Sequence, residues 1–408
     1  MDHISPDKGI MCHIETDTGN TFEPVTGLNL LVSIETDPEA IQQEWVNFEN
    51  RLGVCHSVSC WSLAWYSARS HCDCASPYIV VGRSNAGELL FVLPLEMIHL
   101  RQLKVLMSPG AGQSTYFTGL FSQSIKNWMQ EGKSDEFWSQ VFEKIRQVDA
   151  LFVDGFSRGK FGASDPLYHL PFINAAHTAM EMAITADWPK QYEQMFSKKA
   201  RANDRRCERR LREIGTLNHK VSQELSERQF LLEAMFRQKS EQFASQRMKD
   251  PYHDPEIRSF YNQLVKLDAE QDESVLYISA LYLDDDPIAI NFGVLENGEL
   301  QGLITSMTIG ELKRFAPGRL LLAKTNAYLS DHGIFVHDFG MGEFAYKVEW
   351  CDRKIERQHV AQHFTKAGSA YLIVRRLKES IRSHLNDHPA LKQMLKTISS
   401  GGGLIGKS

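Results

Sequence analysis

Apolar residues recur along the chain with two alternating periods, and the switches between them mark the elements. Leu30 to Glu35 reads as a first strand, and Pro38 to Leu52 as a helix whose Ile41, Trp45, Phe48 and Leu52 are three or four apart. Ser59 to Arg69 presents Trp61, Leu63, Ala64, Trp65 and Tyr66, an aromatic stripe of the kind that faces a core. Period two follows in Pro77 to Arg83 and Gly87 to Leu95, joined by the turn Ser84-Asn85-Ala86-Gly87, and Leu103 to Met107 adds a third strand. The Ser108-Pro109-Gly110-Ala111-Gly112 segment after it lacks the Lys-Ser/Thr of a phosphate-binding P-loop, so it reads as a connecting loop leading to Thr115, Tyr116, Phe117 and Gly119. Phe137 to Val148 is an amphipathic helix and Ala150 to Asp154 a buried strand.

The same meander returns later. Val275 to Leu283, the turn Asp284-Asp285-Asp286-Pro287, Ile288 to Leu295, the hairpin Asn297-Gly298 and Leu300 to Met307 repeat the pattern without repeating the residues. Next comes FAPGRLLLAKTNAYLSDHGIFVHDFGMGEFAYKVEW, residues 315–350. Pro317-Gly318 opens a helix that should stop at Gly333, and Ile334 to Phe339 reads as a short buried strand ended by Gly340 and Gly342. A helix entered through a Gly turn presents unpaired N–H groups and a positive dipole end, which suits phosphate. Ser226 to Met248, Asp254 to Leu267 and Ser369 to Leu385 are further helices, with a last strand at Ile355 to Phe364.

Between the meanders, Tyr192, Phe196, Ala200, Cys207, Leu211 and Ile214 form one stripe of a single predicted helix. From Lys198 to Glu213 it carries eight Lys/Arg against three acids. Arg201, Arg205, Arg209 and Arg212 share a face, with Lys199, Arg206 and Arg210 flanking the apolar stripe. Three readings stay open: a solvated basic face, an anion site built of guanidinium forks, or a nucleic-acid contact. The last lacks interleaved aromatics.

Composition narrows this picture. With 408 residues and 42% apolar content, the chain has material for two cores. A net charge of −6 argues against general affinity for nucleic acid or membrane. No apolar run spans a bilayer, and MDHISPDKGI lacks the apolar stretch of a secretory signal. Cysteines are odd in number, at seven, which predicts a reduced, cytoplasmic setting. His71-Cys72-x-Cys74, near Cys55, His56 and Cys60, is tighter than standard zinc spacings, so free cysteines and no metal are expected. The expected units are a flexible arm over 1–28, domains over 29–187 and 188–390, and a disordered tail over 391–408.

The order Pro317-Gly318, a Leu-rich helix, Asp338-Phe339-Gly340, then Tyr346-Lys347 and Trp350 resembles the CelD-like acyltransferases of cellulose biosynthesis. These belong to the GNAT superfamily of acyl-CoA-dependent acyltransferases and look related to Fem-type peptidyltransferases. The resemblance implies an α/β fold of two tandem GNAT-like halves, with mixed sheets flanked by helices. It implies an acyl-CoA donor delivering acetyl, and an acceptor amine or hydroxyl in exopolysaccharide, cellulose or envelope synthesis. Donor pyrophosphate would lie at Pro317 and Gly318, with Arg314 and Arg319 adding charge, and the donor arm along the strand through Thr305, Met307 and Ile309. Tyr346 is implied as general acid, Lys347 as an oxyanion or phosphate partner, Asp338 as base or orienting group, and Glu343 as sharing that work. His337, on the other side of its strand from Asp338, reads as structural. An Arg-rich helix opens the catalytic half in the family, which favours the anion reading of Arg201, Arg205, Arg209 and Arg212. Aminoacyl-tRNA as donor, in the Fem manner, and a non-catalytic anion-binding protein are the alternatives.

Overall fold

The computed structural model describes residues 30–53, 57–271 and 273–388; the expected N-terminal arm and C-terminal tail fall outside them, as do Cys12, Cys55 and His56. The first half runs β1 (Leu31–Glu35), α1 (Pro38–Leu52), α2 (Ser57–Ala68), β2 (Ala75–Arg83), β3 (Leu89–Leu100), β4 (Leu103–Met107), β5 (Leu120–Phe121), α3 (Gln123–Gln130), α4 (Ser134–Lys144), β6 (Ala150–Phe156), α5 (Arg158–Phe161), β7 (Phe172–Asn174) and β8 (Ala179–Ala183). The second runs α6 (Trp188–Met195), α7 (Lys198–Ile214), β9 (Leu217–Val221), α8 (Leu225–Ser245), α9 (Pro255–Ala269), β10 (Leu276–Leu283), β11 (Asp286–Glu296), β12 (Glu299–Met307), α10 (Pro317–Asp331), β13 (Val336–Met341), α11 (Ala345–Trp350), β14 (Arg353–Ile355), β15 (Gln358–His363) and α12 (Lys366–Asp387).

Local chemistry sets these boundaries. Asp37 caps α1 by accepting from the Glu39 N–H, Pro38 takes the first turn, and Gly53 closes the helix at φ 64°. Asn297 and Gly298 both take positive φ, the conformation a tight hairpin demands, and Gly333 at φ 69° follows the end of α10. One predicted helix divides: the backbone turns extended at Phe196, and Ser197 caps α7 by accepting from the Ala200 N–H. The stripe from Tyr192 to Ile214 therefore belongs to two helices.

The two sheets share one plan. Their strand orders are β1-β2-β3-β4-β6-β15-β7, with β5 beside β3, and β14-β8-β13-β12-β11-β10-β9. Each has an antiparallel meander whose last strand pairs in parallel with the next, β4 with β6 and β12 with β13. Each then receives a strand from the other half: β15 pairs with β6, and β8 pairs with β13. The chain thus crosses the boundary expected near residue 188 in both directions, and residues 358–363 complete the first sheet. A core runs across the halves, where α2 meets α9 through edge contacts of Trp61 and Trp65 with Phe260, at 4.8 and 5.3 Å between ring centres.

The cysteines depart from expectation. Cys72 and Cys74 form a disulfide, while Cys60, Cys207 and Cys351 are free. No helix among the described residues is long and apolar enough to cross a membrane.

Candidate functional site

The site begins where two parallel strands part. β12 and β13 pair only through Glu299–Val336, Leu300–His337 and Gln301–Asp338. At that point Gly302 and Gly340 face each other, and a Cβ on Gly340, at φ 74°, would sit 2.7 Å from the Gly302 carbonyl. Glycine is required there twice over, for close approach and for left-handed backbone. Beyond it lies a cavity of about 190 Å³ reaching Thr305, Phe339, Tyr346 and Lys347 in the second half. The first half contributes Gly112, Gln113 and Thr115, from the segment expected to be a plain connecting loop and the residues after it.

Two ammonium groups and no carboxylate line this cavity. Lys347 is 4% exposed, and its Nζ donates to the Gly340 carbonyl at 3.1 Å and the Met341 carbonyl at 2.7 Å. Burial lowers its ammonium to about 8 against the upward pull of Asp338, and the charge of Lys239 adds to the lowering. Lys239, on α8, is brought down to about 8 by burial alone; its Nζ donates to Gln242 Oε1 at 3.4 Å and lies 6.0 Å from the centre of the Phe243 ring. Tyr346 is 41% exposed overall, and desolvation pushes its phenol up to about 12. Two lysines poised near neutrality in an acid-free polar cavity suit an anion or a proton transfer.

A family model matches part of this half. Residues 198–348 match the acetyltransferase (GNAT) domain. Among solved structures, FemX aligns over 74% of this chain and 91% of its own, at 12% identity and TM-score 0.50. L-PGS from Bacillus licheniformis aligns over 84% and 97%, at 14% and 0.48. A tandem GNAT protein from the clavulanic acid biosynthesis pathway aligns over 82% and 98%, at 11% and 0.41. At such identities the likeness concerns the fold. No curated protein sequence matches the chain. The α/β architecture of two mixed sheets flanked by helices is the one the resemblance implied.

Within the second half, the expected site residues separate. Thr305, Tyr346 and Lys347 share the cavity. Met307 follows Thr305 on the same strand face, about 7 Å along, and its Sδ lies 3.1 Å from where a Gly318 Cβ would stand. The half-buried face of β12 therefore leads from the cavity to the start of α10. Ala316 at φ 50° turns the chain into that helix without a side-chain cap, and the Gly318 N–H has no partner among the described residues. Pro317, Gly318 and Ile309, which lies past the end of β12, do not line the cavity. Arg314 is exposed, its guanidinium over the Phe315 ring. Arg319 departs from its expected phosphate role: its Nε donates to Asp204 at 2.8 Å, Nη1 pairs with Glu349 at 2.8 Å, and the group lies over Phe196 and Trp350. It ties α10 to α7.

Asp338 and Glu343 also depart. Asp338 is fully buried behind the cavity wall, accepting from the Gly340 N–H at 2.6 Å and facing Lys160 Nζ at 3.7 Å. Oxygens of Asp338, Glu181 and Glu299 come within 4.8 Å of one another, the spacing of a metal site. Lys160 supplies the positive charge there, pairing with Glu299 and standing 3.9 Å from Glu181. Asp338 thus holds the bulge that opens the cavity and does not face it. Glu343 is on the surface, paired with Lys354 at 2.6 Å and with the Thr178 hydroxyl at 3.1 Å. His337 is structural as expected: buried, 2.6 Å from Asn326 Oδ1, and pulled down to about 3 by desolvation.

None of the α7 arginines lines the cavity. Arg201 pairs with Glu193, Arg209 lies 3.8 Å from Glu213, and Arg212 pairs with Glu208 at 3.1 Å. Arg205 is exposed without an ion pair among the described residues. The helix is held by its other side, where Cys207 and Leu211 pack with Leu320 and Leu321.

Proposed function

We propose that the protein is an acyltransferase that takes its acyl group from acyl-CoA and works without a covalent enzyme intermediate. The observation that carries this reading is the acid-free cavity where β12 and β13 part, joined by one strand face to an uncapped helix start. An acyl-CoA supplies a thioester carbonyl. Thr305, Met307 and the Gly318 N–H offer the track for its arm and phosphate, with Arg314 the nearby cation. Lys347, fixed on two carbonyls, places positive charge where negative charge develops on the carbonyl oxygen. Lys239, with a pKa of about 8, fits the removal of a proton from an amine or hydroxyl acceptor. Tyr346, at about 12, fits the return of a proton to the leaving thiolate. By the CelD-like resemblance, the acyl group is acetyl and the acceptor an exopolysaccharide, cellulose or envelope precursor.

Melting temperature with candidate donors is the test. Acetyl-CoA at a hundredfold excess over Kd should stabilise the fold by about 2.7 kcal/mol. A shift with aminoacyl-tRNA instead, weakening steeply with salt, would support the Fem-type donor, to which the unpaired Arg205 lends charge. Silence with acyl-CoAs and tRNA alike would leave a non-catalytic anion binder.

A further inference from the structure

The outward face of α12 is apolar. Ile373, Val374, Leu377 and Ile381 are 49–59% exposed and fall within an arc of about 100°. The helix is held by its opposite face, where Gly368, Leu372 and Glu379 are buried. Isolated exposed leucines are ordinary, but a stripe over successive turns is the mark of a docking face. Charge flanks it with one sign. Lys366, Arg376, Lys378 and Arg382 are exposed on this helix, against the single exposed acid Asp387. The rest of the molecule is acidic enough to bring the whole to −6.

A second feature adjoins the stripe. Arg376, Ser380 and Ser383 form one wall of a groove of about 410 Å³, whose other wall is 172–175 of β7 and the loop after it. Glu379 also lines it, but its carboxylate is engaged, accepting from Arg382 at 2.7 Å and from the Ala176 N–H at 3.0 Å. That leaves one guanidinium and two hydroxyls, the donors a phosphodiester needs.

We propose that α12 docks on an anionic phospholipid bilayer, its apolar stripe entering the acyl boundary and Arg376, with Ser380 and Ser383, holding a headgroup phosphate. The charges select this occupant. A second copy placed on the same face would set cations against cations, whereas anionic lipid pairs with them and accepts the apolar side chains. The helix then lies on the membrane and does not cross it.

Co-sedimentation of the full chain with phosphatidylglycerol–phosphatidylcholine vesicles, against phosphatidylcholine alone, is the test. Wild type should bind the anionic vesicles and release them as salt rises. Leu377→Glu with Ile381→Glu should lose binding at least about tenfold, and Arg376→Ala about fivefold. All three side chains are on the surface, so melting temperature should not change. Absence of wild-type binding at low salt overturns the proposal. So does binding that the variants leave intact, or a wild-type dimer that Leu377→Glu dissociates.

Discussion

The two halves carry the same strand order but treat the gap beyond their parallel pair differently. In the first, β6 carries Asp154-Gly155 near its end, and chain fills the space: the Phe117 N–H donates to the Gly155 carbonyl at 2.7 Å, and Asp154 N–H to Ser108 Oγ at 3.1 Å. Arg357 Nε locks this arrangement on the Thr115 carbonyl at 2.8 Å. In the second, β13 carries Asp338-Phe339-Gly340 near its end and the space remains a cavity with Lys347 at its side. The shared plan has this gap closed by chain in one half and left open in the other. The closed half lends the open one Gly112, Gln113 and Thr115 as wall.

The largest expected effect separates the halves outright. Lys347→Met should lower turnover by roughly two to three orders of magnitude through lost charge at the oxyanion. It should also cost about 1–3 kcal/mol of stability from two orphaned carbonyls, leaving a folded protein. Near-normal turnover in folded Lys347→Met would remove that residue from the site. Gly155→Ala and Gly340→Ala sharpen the comparison. Each adds a Cβ 2.7 Å from a carbonyl at positive φ, so each should cost about 1–3 kcal/mol. Only Gly340→Ala should also weaken acetyl-CoA binding, measured by calorimetry; equal losses would erase the distinction.

The pH dependence follows from the lysines. With Lys239 and Lys347 at about 8 in the folded protein, the unfolded chain, at the ordinary 10.5, binds more protons between those values. Stability should therefore rise as pH increases from about 8 toward 10.5. Turnover that needs Lys239 neutral and Lys347 charged should peak near pH 8 and fall on either side; Lys239→Gln should lower turnover by removing the base and, by removing a like charge, move the alkaline fall of what remains to higher pH. A profile flat from pH 7 to 9 would contradict this. The smallest effect is expected on α7, where Arg205→Gln should change stability by less than about 0.5 kcal/mol and leave donor affinity unchanged.

Both meanders were legible because strand alternation and turns such as Asn297-Gly298 are local signals. The partners of β8 and β15 were not, since nothing in Ala179–Ala183 or Gln358–His363 states which sheet will receive it. Thr305, Tyr346 and Lys347 came from the family resemblance, and the cavity contains all three. Lys239 was missed because, among Arg237, Gln238 and Ser240, it reads as one more solvated residue; its burial depends on the distant β12 and α11, which carry Thr305 and Lys347. Arg319 misled in the opposite sense. A cation beside a Gly turn suggests phosphate until Asp204 and Glu349 are found holding it. The surface stripe of α12 was hidden by the amphipathic pattern, which does not say which face turns inward.

Hydrogen–deuterium exchange with and without saturating acetyl-CoA addresses the central claim most directly. Protection at residues 302–307 and 317–320, with none at 103–108, is the predicted result, because only the second gap is open. Protection confined to the first half, or none anywhere, would contradict it.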